Sequence, residues 1–195
     1  MDRVSELELV ARLQQGDAAA FDQVHAEFNT RLFNFLARLS RRREVAEDLL
    51  EETWLRFVDH IPRLRPDTTL APFLFTIARN LHVSYCRSRA LENSYAPDMI
   101  GLWPSGAGTP SPFDSTVASE TSSHIDRLLA EMPAVYREAL LLVGVEGMRA
   151  NEAAAICGIS SEAMRQRVSR GRAMLARGLD ARQQCGLAKL KEVTT

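Results

Sequence analysis

Apolar positions along this chain recur at helical spacing, and strand-like alternation is absent. Val4, Leu7, Val10 and Leu13 step by threes and predict an opening helix. Gly16-Asp17 breaks it, and Asp17 suits the cap of the next helix, where a side-chain oxygen accepts from free backbone N–H groups. Phe21, Val24, Phe28, Leu32, Phe35, Leu36 and Leu39 form a second apolar stripe. Glu44 to Asp59 reads as a third helix, ended by Pro62. A fourth runs from near Leu70 to about Ala90, with Pro72 tolerable only in its first turn. Most of these leucines and aromatics are expected in a core.

The pattern resumes late in the chain. Ser123 is a candidate cap for a helix to about Glu131. Pro133 suits the first position of the next, which runs through Val145 until Gly147 breaks it. Asn151 to Cys157 is short, Gly158-Ile159-Ser160 is a turn, and Ser161 to Leu179 is long. The expected fold is all-α: two small helical domains, 1–89 and 125–179, joined by a flexible linker at 90–124 and followed by a tail at 180–195.

Charge sharpens this division. The 195 residues carry a net charge of −1, so any nucleic-acid binding must rest on local positive charge. Residues 1–89 balance 13 Arg against 13 Asp and Glu. Residues 90–124 hold four acids and no Lys or Arg, among Pro97, Gly101, Pro104, Gly106, Gly108, Pro110 and Pro112; that composition reads as a linker. Residues 125–195 hold 11 Lys and Arg against 8 acids. No apolar run of about 18 residues exists, so no membrane insertion is expected. The polar N-terminus lacks a signal-peptide core, which points to the cytoplasm. Cys86, Cys157 and Cys185 are odd in number and far apart, as reduced thiols are. His82 and Cys86 make half a metal site with no second pair nearby, so no metal or cofactor is expected. No nucleophile elbow, phosphate-binding Gly loop or catalytic carboxylate pair is evident, and no enzyme is expected.

The strongest mechanical signal runs from Ala150 to Val168. Small residues at Ala153, Ala154 and Ala155 allow close helix packing, and Gly158 suits a left-handed turn. Ile159, Met164 and Val168 would pin the second helix, leaving Arg165, Gln166, Ser169, Arg170 and Arg172 on other faces. Residues 161–177 contain five Arg and one acid, Glu162. This is a DNA-binding helix-turn-helix: Arg reads guanine edges, Gln reads adenine, and further Arg neutralises phosphate.

Four stretches together resemble the bacterial sigma-70 family in its extracytoplasmic-function (ECF) branch. Leu9-Val10-Ala11-Arg12-Leu13-Gln14-Gln15-Gly16-Asp17 with Ala20-Phe21 is similar to its opening helix. Val45 to Arg56 resembles its polymerase-docking helix, and Phe73-Leu74-Phe75-Thr76-Ile77-Ala78-Arg79-Asn80 its promoter-melting helix. Met132-Pro133, Tyr136 to Leu142 and the helix-turn-helix resemble its −35-reading domain. The resemblance implies a factor that binds core RNA polymerase, at the largest subunit's coiled coil and the flap region, and directs initiation at promoter DNA. It also implies an anti-sigma partner. By resemblance the docking residues are Glu47, Asp48, Leu49, Glu51, Glu52, Trp54 and Arg56, with Leu49 better placed as core. Those at the −10 element are Leu64, Phe73, Arg79, Asn80 and Arg87. Those at the −35 element are Arg165, Gln166, Ser169 and Arg170 facing bases, with Arg167 and Arg172 nearer phosphate. The chain departs from the family pattern at Glu51, usually Gln; at Phe73, commonly Trp; at Pro72; and at Glu162-Ala163, frequently Gly-Thr. A flexible linker of about 33 residues spans roughly 30 Å r.m.s. and has a longer contour, against about 58 Å between promoter elements. The rival reading is a self-sufficient helix-turn-helix regulator whose N-terminal helices dimerise or bind a ligand.

Overall fold

The computed structural model describes the backbone of residues 3–94 and 120–193, and the side chains of 5–91 and 124–180. The chain folds as two compact units. The first carries α1 (Arg3–Gln14), α2 (Ala18–Ser40), α3 (Arg43–His60) and α4 (Leu70–Ser94). The second carries α5 (Glu120–Glu131), α6 (Ala134–Leu140), the opening residues of α7 (Ala150–Cys157) and α8 (Ser161–Val193). Among the described residues every regular element is helical, and the fold is all-α. Most of the expected linker lies outside them, as do the side chains of the expected tail beyond Asp180, Cys185 included. The helices reach further than expected: α4 to Ser94, and α8 past Leu179 to Val193 through Ala, Arg, Gln, Leu and Lys, all good helix formers. α5 begins three residues before Ser123, so Ser123 lies inside the helix instead of capping it.

In the first unit, Asp17 caps α2: its Oδ1 accepts from the N–H groups of Ala19 at 2.9 Å and Ala20 at 3.4 Å. Arg12 Nε donates to its Oδ2 at 2.8 Å, and that bond holds the Asp17 carboxyl below its ordinary pKa. The stripe on α2 is buried at Val24, Phe28, Leu32, Phe35, Leu36 and Leu39, while Phe21 is half-buried. In α1 the buried set is Leu9, Val10 and Leu13, and Leu7 is exposed. A strict three-residue step advances 300° and drifts off one face, so the expected stripe could not hold for four positions. α2 packs on α3 and α4, with Phe35 edge-on to Phe75 at 5.1 Å between centroids. Phe57, Leu70, Leu74 and Ala78 complete the core. Each fully buried Leu or Phe contributes about 1.5–3 kcal/mol.

A short 3-10 turn, Ile61–Arg63, follows α3 and contains Pro62. The connection into α4 is tied to α1: Gln14 Nε2 donates to the Leu64 carbonyl at 2.6 Å, and the Leu70 N–H donates to Glu6 Oε1 at 2.7 Å.

In the second unit α8 packs on α6 and α5. A Cβ at Gly171 would lie 2.9 Å from Leu140 Cγ, and one at Gly178 would lie 2.5 Å from Leu128 Cδ2, so both glycines serve close approach. α6 gives way to one π-helical turn, Leu141–Val145, before Gly147 reverses the chain at φ +69°. Arg137 is buried and donates to the carbonyls of Leu129, Ala130 and Met132 at 2.7, 3.0 and 2.9 Å. These carbonyls lie at and just past the end of α5, where a cation also meets the favourable end of the helix dipole.

Candidate nucleic-acid and protein interfaces

α3 presents one face to solvent because its other face fills the core. Ala46, Leu49, Thr53, Trp54 and Phe57 are buried. Trp54 is only 8% exposed; its Nε1 donates to Asn29 Oδ1 at 3.0 Å, and its ring lies 4.7 Å from His25 and 5.8 Å from Phe21. Leu49 and Trp54 therefore shape the outer surface from beneath. Outward stand Glu47, Asp48, Glu51 and Arg56, with Glu52 half-buried. Arg43 Nε pairs with Glu47 and Arg56 Nε with Glu52, each at 2.7 Å and one turn apart. Between these charges Leu55 is 57% exposed, and Val58 is exposed a turn beyond. Asp48, Glu51, Glu52, Leu55 and Val58 fall at i, i+3, i+4, i+7 and i+10, one mixed stripe of acid and apolar surface.

α4 carries the next group. Phe73, Asn80 and Arg87 are seven residues apart on one side, spanning about 21 Å at about 1.5 Å per residue. Asn80 and Arg87 are exposed, and Arg79 is half-buried. The half-buried Phe73 ring lies 6.3 Å from Phe57 and 6.1 Å from His60. Leu64 stands apart from this group: its side chain is 5% exposed, and the exposed residues beside it are Arg63 and Arg65. His82 Nε2 lies 3.6 Å from Cys86 Sγ, and burial pushes the Cys86 thiol pKa up. Among the described residues no group of three or more His, Cys, Asp or Glu is placed to hold a metal, and no helix is long and apolar enough to cross a membrane.

α7 ends at Cys157, and the φ of +66° at Gly158 lets the Ile159 N–H reach back to the Ala154 carbonyl at 3.0 Å. Ser160 then caps α8, its Oγ accepting from the Ala163 N–H at 3.1 Å. Met164, Val168 and Gly171 are buried, with Ile159 half-buried. Arg165, Gln166, Ser169, Arg170 and Arg172 are exposed, and Arg167 is half-buried. Arg165, Ser169 and Arg172 meet Val143, Ala150 and Val168 around an open groove of about 360 Å³, apolar at its floor and cationic at its rim. Arg165 donates through Nε and Nη2 to Glu162 Oε2 at 3.1 and 2.8 Å. That bond holds the Glu162 carboxyl below its ordinary pKa.

Comparison with known proteins settles what kind of chain carries these surfaces. Residues 25–92 match the family described as Sigma-70 region 2, and residues 123–175 match Sigma-70, region 4. The chain is 34% identical over 160 residues to the RNA polymerase sigma factor CarQ of Myxococcus xanthus, covering 82% of this chain and 89% of that one. It belongs to the ECF branch of the sigma-70 family. The ECF sigma factor EcfG of Rhodopseudomonas palustris is 36% identical over 142 residues, 73% of this chain and 75% of EcfG. Among solved structures, the sigma factor RpoE of Bartonella quintana, crystallised with the anti-sigma factor NepR, superposes with a TM-score of 0.67 at 30% identity, over 82% of this chain and 96% of RpoE. CnrH, solved with the cytosolic domain of CnrY, shares the fold at 22% identity and a TM-score of 0.63, over 90% of this chain and 97% of CnrH.

Sequence reasoning passed over several residues of this ECF factor. Leu55 and Val58 were masked by Trp54, the more conspicuous apolar residue, although their seven- and ten-residue spacing from Asp48 was readable. Glu162 is singled out by the sequence, but its pairing with Arg165 three residues on, a recognisable helical pair, is not. Glu6 and Gln14 act across 64 and 50 residues and left no local signal.

Proposed function

We propose that this ECF factor binds core RNA polymerase through the outer stripe of α3, faces the −10 element with α4 and the turn before it, and reads the −35 element with α8. The observation that carries the reading is the division of α8. Its buried face, Met164, Val168 and Gly171, is fixed against the unit, while Arg165, Gln166, Ser169, Arg170 and Arg172 stand exposed directly after a glycine turn. A helix so held offers base-edge donors in the major groove and phosphate contacts beside them. On α3, Asp48, Glu51 and Glu52 supply charge and Leu55 the apolar anchor, the mixture a desolvated contact uses. Leu49, Trp54 and Leu64 serve these surfaces from within the core. The chain works in the cytoplasm, where polymerase is, and an anti-sigma protein restrains it; the similarity to RpoE, solved with NepR, supports that partner.

Holoenzyme binding to a promoter library at several salt concentrations tests the reading. Arg165→Ala is expected to cost about 1–3 kcal/mol on the cognate −35 sequence and to relax preference at one base. Arg172→Ala is expected to weaken all sequences alike and to lower the salt slope by about one phosphate contact. Equal, sequence-blind losses in both variants would remove Arg165 from the reading set.

A further inference from the structure

The connection between α3 and α4 is held from outside itself. Pro62, Arg63, Arg65, Pro66 and Asp67 are exposed; the Thr68 N–H donates to the Arg65 carbonyl at 2.9 Å, and Arg65 Nε lies 3.3 Å from Asp67 Oδ1. Exposed local contacts of this kind do not fix a loop. Its ends are fixed by α1. Gln14 seizes the Leu64 carbonyl, and Glu6 takes the Leu70 N–H, the first free donor of α4. The Glu6 bond pairs a carboxylate with a backbone N–H at a helix N-terminus, which strengthens it on two counts. Glu6 is 8% exposed, so water is poorly placed to substitute. The two bonds bracket Arg65, Pro66 and Asp67 between Leu64 and Leu70 and set the direction in which α4 leaves the turn.

We propose that Glu6 and Gln14 are positioning residues for the −10 element: α1 acts as a strap that fixes the 64–70 turn so that its exposed groups and the first turn of α4 meet the promoter in one register. This rests on the reading above, in which that turn and α4 face the −10 element. A reading group must be held to within about 0.5 Å to discriminate between bases, and a side chain on an untethered turn is not. The strap touches no DNA, so its removal leaves every contacting residue in place and loosens the geometry alone.

The experiment measures base preference at both promoter elements, using the full chain on core RNA polymerase and a promoter library randomised at −10 and −35. Gln14 is exposed, so Gln14→Ala is expected to fold, with a melting temperature lower by a few degrees. It should lower −10 preference about fivefold, the factor one net hydrogen bond supplies, and leave −35 preference unchanged. Glu6→Ala should lower −10 preference further and speed hydrogen exchange at the Leu70 amide, while Glu6→Gln, which keeps an acceptor oxygen, restores most of both. Unchanged −10 preference in a folded Gln14→Ala chain overturns the inference and leaves the parent reading intact. Equal falls at −10 and −35 also overturn it, because they reduce the strap to general stability. Absence of any −10 preference in the unaltered holoenzyme overturns the parent reading and this inference together.

Discussion

At the scale of single residues, the pair Glu162–Arg165 bears on how α8 would enter DNA in the proposed reading. Two of the five guanidinium donors are engaged by one carboxylate oxygen, and the others remain for a base edge. The pair is exposed, and in the free chain it adds little to stability. In the proposed −35 contact its effect would belong to the complex, where the carboxylate would both orient Arg165 and repel phosphate. Glu162→Gln is therefore expected to raise sequence-independent affinity and to reduce preference at the base Arg165 reads. Competition between cognate and scrambled duplexes on the holoenzyme measures both. The pH dependence has a definite sign. A carboxyl whose pKa is lowered stays ionised above its ordinary value, and its pairing is lost only as pH falls through the lowered one. Preference at that base should be flat from neutral pH down to the ordinary glutamate range and should decline only below it. A decline centred near pH 6.5 would point to a histidine instead.

Among elements, α8 shows how closely its packing is set. Gly171→Ala gains helix propensity of about 1 kcal/mol but drives a methyl into Leu140, and overpacking typically costs about 1–3 kcal/mol. A net loss is expected, seen as a lower melting temperature of the second unit. Leu140→Val added to Gly171→Ala should cost less than the two single changes together, because the smaller side chain vacates the clash. Additive losses in calorimetry would show that the clash is relieved elsewhere. The helices themselves were legible because their ends carry local chemistry: Asp17 as a cap, Gly147 and Gly158 at positive φ, Pro62 and Pro133 at boundaries. The exposed arginines of α8 followed from the same periodicity. What periodicity does not carry is contact across the chain. Trp54 reads equally as anchor or core until Asn29 and His25 are brought to it. Arg137 reads as surface until its guanidinium is found on three carbonyls. The side chain of Leu64 reads, by resemblance, as a DNA contact until it is found in the core.

For the molecule as a whole, the proposed function makes charge bear on when DNA would be bound. A net charge of −1 gives the free chain a weak electrostatic pull on DNA, and a single reading module buries only about 600–1,000 Å². Core polymerase holding two modules at once makes the second contact intramolecular, which multiplies avidity by roughly 10²–10⁴. Fluorescence anisotropy on a cognate duplex near 0.15 M salt should show weak binding by the chain alone and tight binding with core enzyme. Leu55→Glu, placed on an exposed site, should keep the fold and leave binding at the free-chain level even when core enzyme is present. Tight, specific binding by the chain alone would favour the self-sufficient regulator. The bond from Leu70 to Glu6 also has a meaning in time. The partner of Glu6 leaves the ribosome 64 residues after it, a delay of about 3–13 s at about 5–20 residues per second. Through that interval the carboxylate stays in water and α1 has nothing to hold. A nascent factor thus cannot complete the first unit before α4 has emerged.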